Sequence, residues 1–274
     1  MITAEIMGGL GNQLYIIFTL ISYSLTSKNA FYFENKEIIN GDRKIMYWNN
    51  LLKGISIFIK PCKPINTIIR EKSMNYEILP TIDTVIDAKL HGYFQSFKYF
   101  DNSKEEILKL IKFIETTKPY ENLYDFENSI SMHFRLGDYK SKQGFHPILK
   151  LNYYKRSLQH MIEKNNFKKW QILYFCENED IKFVENVVEE LKVFFPDLSF
   201  LRANNMLADW EQMVIMSLCA HNIIANSTFS WWSAYLNTNL KIVCCPNIIL
   251  GPDSKVNIKF EDRYPSTWTI IDAT

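Results

Sequence analysis

In "SMHFRLGDYK", residues 131–140, an imidazole and a guanidinium stand two apart, at His133 and Arg135, with Gly137 and Asp138 just beyond. On an extended segment such residues point to the same face, so both could meet one ligand. The planar donor fork of an Arg suits a diphosphate, and the pair is expensive to bury without a partner. The plain alternative is an ion pair from Arg135 to Asp138 that merely closes the loop. In "MGGLGNQLY" (7–15), glycines at 8, 9 and 11 let the backbone approach a ligand, the following helix start offers N–H groups to an anion, and Asn12 and Gln13 add side-chain donors. Gly9-x-Gly11 followed by Glu34 is part of a dinucleotide fingerprint, but Leu14 stands where its third glycine would be. A tight strand-to-helix turn accounts for the same residues.

"ANSTFSWWSAYL" (225–236) sets Asn226, Ser227, Thr228 and Ser230 directly after an apolar run. Ser227 is a good N-cap, and its neighbours' hydroxyls and N–H groups could surround a phosphate. Trp231 and Trp232 are about 100° apart on a helix, so one is expected in the core and the other at a domain boundary. Glu177 in "YFCENED" and Asp209 in "ADWEQM" each open a helical run. Acids there usually cap the helix, though either could reach a nucleotide's polar edge. No D-x-D occurs in the chain, and no metal is expected.

The elements that must hold these stretches are short strands alternating with helices. The glycine turn is expected between a strand at 2–7 and a helix with Leu14, Phe18, Ile21 and Leu25 on one face, followed by a strand at 31–33. Residues 34–90 show weak periodicity, and an amphipathic helix follows over 103–115. Beyond a hinge near 118–128, strands are expected at 130–134, 171–175, 198–201, 222–225 and 241–245. The helices between and after them are expected at 152–164, 180–194, 208–220 and 229–237. That alternation means a parallel sheet covered on both faces, with ligands beyond the strands' carboxyl ends.

The 274 residues are 47% hydrophobic, enough for a large core. Lys plus Arg number 31 against 30 acids, so there is no general field for nucleic acid, and small-molecule partners are expected. Five cysteines without a C-x-x-C pair read as reduced thiols in a cytoplasmic protein. The apolar run 14–25 is too short to span a bilayer, so no membrane segment is expected.

Together "GGLGNQLY", "HFRLGD" and "ANSTFSWW" resemble the three signatures of glycosyltransferase family 11, the α-1,2-fucosyltransferases, in that family's order. Further matches are "GYFQSFKYF" (92–100), "HPILKLNYY" (146–154), "DWEQMVIMSLCAHNIIANS" (209–227) and "YPSTW" (264–268). The resemblance implies an α/β, GT-B type fold of two Rossmann-like domains with parallel sheets facing across a cleft. Residues 1–120 would be the acceptor side and 121–274 the GDP-fucose-binding domain. It implies inverting, cofactor-free and metal-independent transfer of L-fucose from GDP-β-L-fucose to a β-galactoside glycan. Arg135 would hold the β-phosphate, with His133 beside the nucleotide and Ser227, Thr228 and Phe229 along the pyrophosphate and nucleoside.

Asn12 would approach the diphosphate from the opposite domain, as in a similar segment of protein O-fucosyltransferases. Gly9, Gly11, Gln13, Glu177, Asp209 and Asn226 complete the expected donor contacts. Tyr93, Gln95 and His146 are the expected acceptor contacts, and Asp138 the expected base with Glu177 in reserve. Where many members read "FSDD", this chain has Phe175-Cys176-Glu177-Asn178. Peripheral contact with a lipid-linked glycan is compatible with such a chain. Two other readings stay open: a dinucleotide-dependent oxidoreductase, and a nucleotide-sugar or glycan-binding module without turnover.

Overall fold

The computed structural model describes all residues except 36–37, 40–43, 83–85, 165–168 and 239–241, and it leaves out the side chains of Ile38, Ile39 and Lys44. Its contacts divide the chain into Met1–Lys118 with Asn257–Pro265, and Pro119–Val256 with Ser266–Thr274. The expected boundary at 120 thus meets one departure, because 257–265 returns to the first unit. Polar contacts hold it there: Asp262 is buried, accepts from Lys98 Nζ (2.6 Å) and from the Tyr76 N–H (3.1 Å), and takes the Ser96 hydroxyl on its carbonyl.

In the first unit, β1 (Ile2–Ala4) leads through the glycine turn into α1 (Leu10–Thr26). The expected single apolar stripe is corrected: nearly every α1 residue from Leu10 to Ser22 is buried, while Leu25 is 44% exposed. A helix apolar on all sides becomes part of the core rather than its cover. Short ribbons follow, β2 (Phe33–Glu34) parallel to β5 (Ile59–Lys60), and β3 (Ile38–Ile39) antiparallel to β4 (Lys44–Ile45). The main sheet here is parallel, in the order β1, β7 (Ala88–His91), β6 (Thr67–Arg70). The helix expected over 103–115 is broken into α2 (Lys104–Leu110) and α3 (Phe113–Thr117), because Lys112 takes a left-handed φ of 57° between them.

The second unit is built on β8 (Ser129–His133), whose five residues are all buried, as a strand covered on both faces requires. Around it run α4 (Leu151–Lys164), β9 (Gln171–Phe175), α5 (Ile181–Phe194), β10 (Ser199–Arg202), α6 (Asp209–Leu218), β11 (His221–Ile223), α7 (Thr228–Leu236), β12 (Val243–Pro246) and β13 (Thr269–Ile271). The strand expected from Lys241 begins outside the described residues, and β13 joins the sheet unforeseen. All six strands are parallel in the order β10-β9-β8-β11-β12-β13. In chain order that is 3-2-1-4-5-6, so the direction of winding reverses between β8 and β11. Ligands of such sheets bind beyond the carboxyl ends at that switch.

Both tryptophans of α7 are buried. Their rings meet edge to face at 5.2 Å, Trp231 stacks on Tyr235 (4.8 Å), and Trp268 lies 5.5 Å from Trp231. All five cysteines are free thiols, and burial pushes the Cys244 thiol up to about 12. No helix among the described residues is long and apolar enough to cross a membrane.

Candidate active site

His133 is the last residue of β8, and Arg135 follows in the loop beyond it. Parallel pairing continues one step past the strand, with the Phe134 N–H donating to Phe175 O (2.8 Å), so β8 and β9 release their chains side by side. Glu177 leaves β9 there, and Arg135 donates to it through Nη1 and to Asp138 through Nη2. The guanidinium also lies 5.0 Å from the Tyr139 ring centre, close enough for a cation–π contact. The Tyr139 hydroxyl in turn donates to the Asn226 carbonyl (3.2 Å), and its ring stacks on His146 at 4.6 Å. The residues after β9, β8 and β11 therefore form one constellation at the winding switch.

Burial holds this constellation in register. Gly137 has φ of 41°, and its N–H donates to Asp180 (2.8 Å), a buried carboxylate that also pairs with Lys140. The Tyr154 hydroxyl donates to the His133 carbonyl (3.3 Å), while Tyr153 donates to the carbonyls of Ile224 and Cys244. His133 is 8% exposed, and burial first, then the Arg135 charge, pull its imidazole down to about 3. It is therefore neutral at physiological pH, with Phe229 5.4 Å away and Nδ1 meeting no partner among the described residues. Asn226 donates to Pro147 O (2.9 Å), and its Oδ1 is likewise unmet.

The surplus hydroxyls of the third motif divide by role. Ser230 accepts from the Ala225 N–H (3.1 Å) and so is structural, whereas Ser227 caps α7 by accepting from the Phe229 N–H (3.3 Å). Ser227, Thr228 and Phe229 are half-exposed at the helix start. Asp209 sits at the exposed start of α6, with Oδ1 on the Trp210 N–H (2.7 Å), which is a capping role. Glu211 beside it accepts from the Ala208 N–H (2.7 Å) and the Tyr120 hydroxyl (2.6 Å). Among the described residues no cluster of three His, Cys, Asp or Glu could hold a metal ion.

In the first unit the glycine turn is organised by Gly8, at φ of 76°, rather than by Gly9 or Gly11. Gly9 has an ordinary extended φ of −74°, and open space surrounds the place of a Cβ there; Gly11 is buried on α1. Gln13 is corrected as a ligand donor: it is fully buried, and its Nε2 holds the turn by donating to Gly8 O (3.1 Å) and Ile45 O (3.0 Å). Gln95 donates to Asn12 Oδ1 (2.9 Å) and accepts from Arg263 Nη1 (2.7 Å), while the Tyr93 side chain is exposed. A cavity of about 570 Å³ lies along β6, lined by Arg70, Glu71, Glu77 and Tyr99 among others. Glu34, the would-be ribose partner of a dinucleotide, is buried in a pair with Lys89 (2.7 Å), and Leu14 is core.

A Cβ at Gly8 would stand 2.6 Å from Asn12 Nδ2, on a backbone that L residues rarely adopt. Gly8→Ala is therefore expected to destabilise the first unit by about 1–3 kcal/mol and to turn the Asn12 amide away, both visible by thermal melting and ligand titration.

The family model for Glycosyl transferase family 11 matches residues 67–272. The chain belongs to that family. Within it, the chain is 29% identical over 188 residues to an α-1,2-colitosyltransferase of Escherichia coli, a match covering 66% of this chain and 61% of that enzyme. It is 24% identical over 295 residues to a galactoside 2-α-L-fucosyltransferase of Caenorhabditis elegans, covering 98% of this chain and 78% of that one. The chain spans about three fifths of the length of its Escherichia coli relatives. An Arabidopsis thaliana FUT1 variant solved with GDP superposes with a TM-score of 0.50 at 11% identity, covering 93% of this chain and 73% of that one. That likeness is one of fold, and the family-11 chain is α/β of the GT-B type.

Tyr139, Tyr153 and Tyr154 are supports of the site that motif reading passed over. Asp180, which with the other acids of "YFCENED" reads from the sequence as a helix-start cap, is instead buried and holds the Gly137 N–H and Lys140.

Proposed function

We propose that this family-11 glycosyltransferase is an inverting, metal-independent galactoside α-1,2-fucosyltransferase, moving L-fucose from GDP-β-L-fucose to the 2-hydroxyl of a terminal β-galactose. The observation that carries the reading is Arg135 at the winding switch, bracketed by Glu177 after β9 and linked through Tyr139 to Asn226 after β11. As the bond from fucose C1 to the β-phosphate oxygen breaks, both electrons go to the diphosphate. A fixed guanidinium is worth most against charge that develops in this way. Ser227, Thr228 and Phe229 line the nucleotide from the α7 start, and neutral His133 offers it a hydrogen bond without adding charge.

The acceptor oxygen attacks C1 from the face opposite the diphosphate, inverting β to α, and its proton passes to a carboxylate late in an oxocarbenium-like transition state. Asp138 is the proposed base and Glu177 the reserve. The buried Glu34 and Leu14 speak against the dinucleotide reading.

The test is GDP release from GDP-fucose with lactose, galactosyl-β1,3-N-acetylgalactosamine and lacto-N-biose as acceptors, with and without EDTA. EDTA-insensitive release with at least one of them is expected. No release with any, and no shift in melting temperature on adding GDP-fucose, would sink the proposal. GDP-colitose, whose sugar lacks one hydroxyl of L-fucose, is the competing donor, and faster release from it would replace fucose by colitose.

A diphosphate arriving at Arg135 competes with Asp138 and Glu177 for the same guanidinium. Glu177 is 48% exposed, so its pair with Arg135 is a weak one. Glu177→Gln is therefore expected to tighten GDP binding by up to about five-fold, measured by calorimetry, where a nucleotide-contact role would loosen it.

A further inference from the structure

We propose that Asp180 is a positioning residue for glycosyl transfer: it holds the turn that presents Arg135 to the diphosphate. This rests on the reading of Arg135 as the diphosphate contact, and it involves residues of the second unit alone. Asp180 stands at the N-cap of α5, yet its side chain bonds no N–H of that helix. It is 1% exposed, and its carboxylate turns instead to the loop after β8, where Oδ2 accepts from the Gly137 N–H at 2.8 Å and Oδ1 pairs with Lys140. An acid that opens a helix ordinarily serves the free N–H groups of the helix itself. Here that service is given up for a glycine 43 residues upstream.

The backbone on either side of Arg135 is thereby fixed. Before it, the Phe134 N–H donates to Phe175 O (2.8 Å); after it, only the buried Leu136 intervenes before the Gly137 N–H on Asp180. Gly137 has φ of 41°, and a Cβ there would stand 2.5 Å from Glu177 Oε2, so two acids of the turn after β9 meet this one glycine. Beyond the left-handed kink, Asp138 pairs with the Arg135 guanidinium, which Glu177 also holds. Stability does not explain the arrangement. A buried carboxylate is costly to desolvate, and its charged partner Lys140 is half-exposed. A donor fork, by contrast, must meet a diphosphate in register, and a misplacement of about 1 Å can cost about 100-fold in rate.

Asp180→Asn and Asp180→Ala remove the same charge, but only Asn still accepts from the Gly137 N–H. Any electrostatic gain for an anion is common to both, as is the release of Lys140 into water. Calorimetric titration of the full chain with GDP is expected to give Asp180→Asn an affinity at or above wild type, and Asp180→Ala one at least about five-fold below Asp180→Asn. In an Arg135→Ala background that gap should close, because the carboxylate acts through the guanidinium, whereas a merely structural role would leave it open. Turnover should follow, with kcat of Asp180→Ala about ten-fold or more below that of Asp180→Asn. Asp180→Ser, whose hydroxyl is too short to reach the glycine, takes the place of the alanine variant should that chain fail to fold. Equal GDP affinities in the Asn and Ala variants, or a gap that persists without Arg135, overturn the proposal while leaving the donor reading intact. Wild-type affinity in Arg135→Ala alone removes the contact on which it rests, and a wild-type chain that binds no GDP overturns the donor reading itself.

Discussion

Replacing Arg135 by Ala is expected to lower the rate of glycosyl transfer by at least about a thousand-fold while leaving the protein folded. The size follows from where the guanidinium sits. It follows the central strand at the switch of the sheet, where it would face the leaving diphosphate, and removal of one preorganised donor from such a position already slows a reaction by about 100- to 1000-fold. The tolerance of the fold follows from its partners. Asp138 and Glu177 are 53% and 48% exposed, and pairs of that kind contribute about 1 kcal/mol or less. Arg135→Lys keeps the charge but loses the fork, so it should fall between the two. Steady-state rates beside melting curves check this. A mutant that keeps near wild-type specific activity, even with a lowered melting temperature, would mean that Arg135 only closes the loop.

The largest effect on stability is expected at Trp232. Its side chain is fully buried on α7, against Trp231 at 5.2 Å and Tyr235 at 5.5 Å. Truncation to Ala would leave a cavity costing about 3–5 kcal/mol, a large share of the ~5–15 kcal/mol that stabilises an ordinary domain. The melting transition of the second unit should drop by about 10 °C or more, as calorimetry would resolve. Because α7 carries Ser227, Thr228 and Phe229 at its start, GDP affinity should fall with it. Trp232→Phe, which refills part of the space, should recover most of both.

The site's chemistry was legible where a motif coincides with a strand end. "HFRLGD" and "ANSTFSWW" each follow a short apolar run, and those runs are the adjacent strands β8 and β11. Their alternation with helices carried the parallel sheet. What was not legible are the long-range polar contacts. Nothing near Asp262 or Arg263 in the sequence says that they are buried in the first unit, because their partners Lys98, Tyr76 and Gln95 lie more than a hundred residues away. Gln13 looked like a ligand donor because its sequence neighbours are glycines, yet the carbonyls of Gly8 and Ile45 claim it. Lys112 breaks a helix whose apolar spacing runs on undisturbed, since a single left-handed residue leaves no mark on periodicity. The α1 helix departs from its sequence pattern for the opposite reason. Its stripe was real, but the faces beside it are apolar too, and only packing shows that all are covered.

The proposed transfer of L-fucose with inversion onto the 2-hydroxyl of galactose is read out by NMR of the product formed from GDP-β-L-fucose and a β-galactoside. A single new α-anomeric fucose signal is expected, correlated across the glycosidic bond to galactose C2, with one GDP released per linkage formed. A β-fucoside, a linkage to another galactose carbon, or GDP release without any glycoside would contradict it.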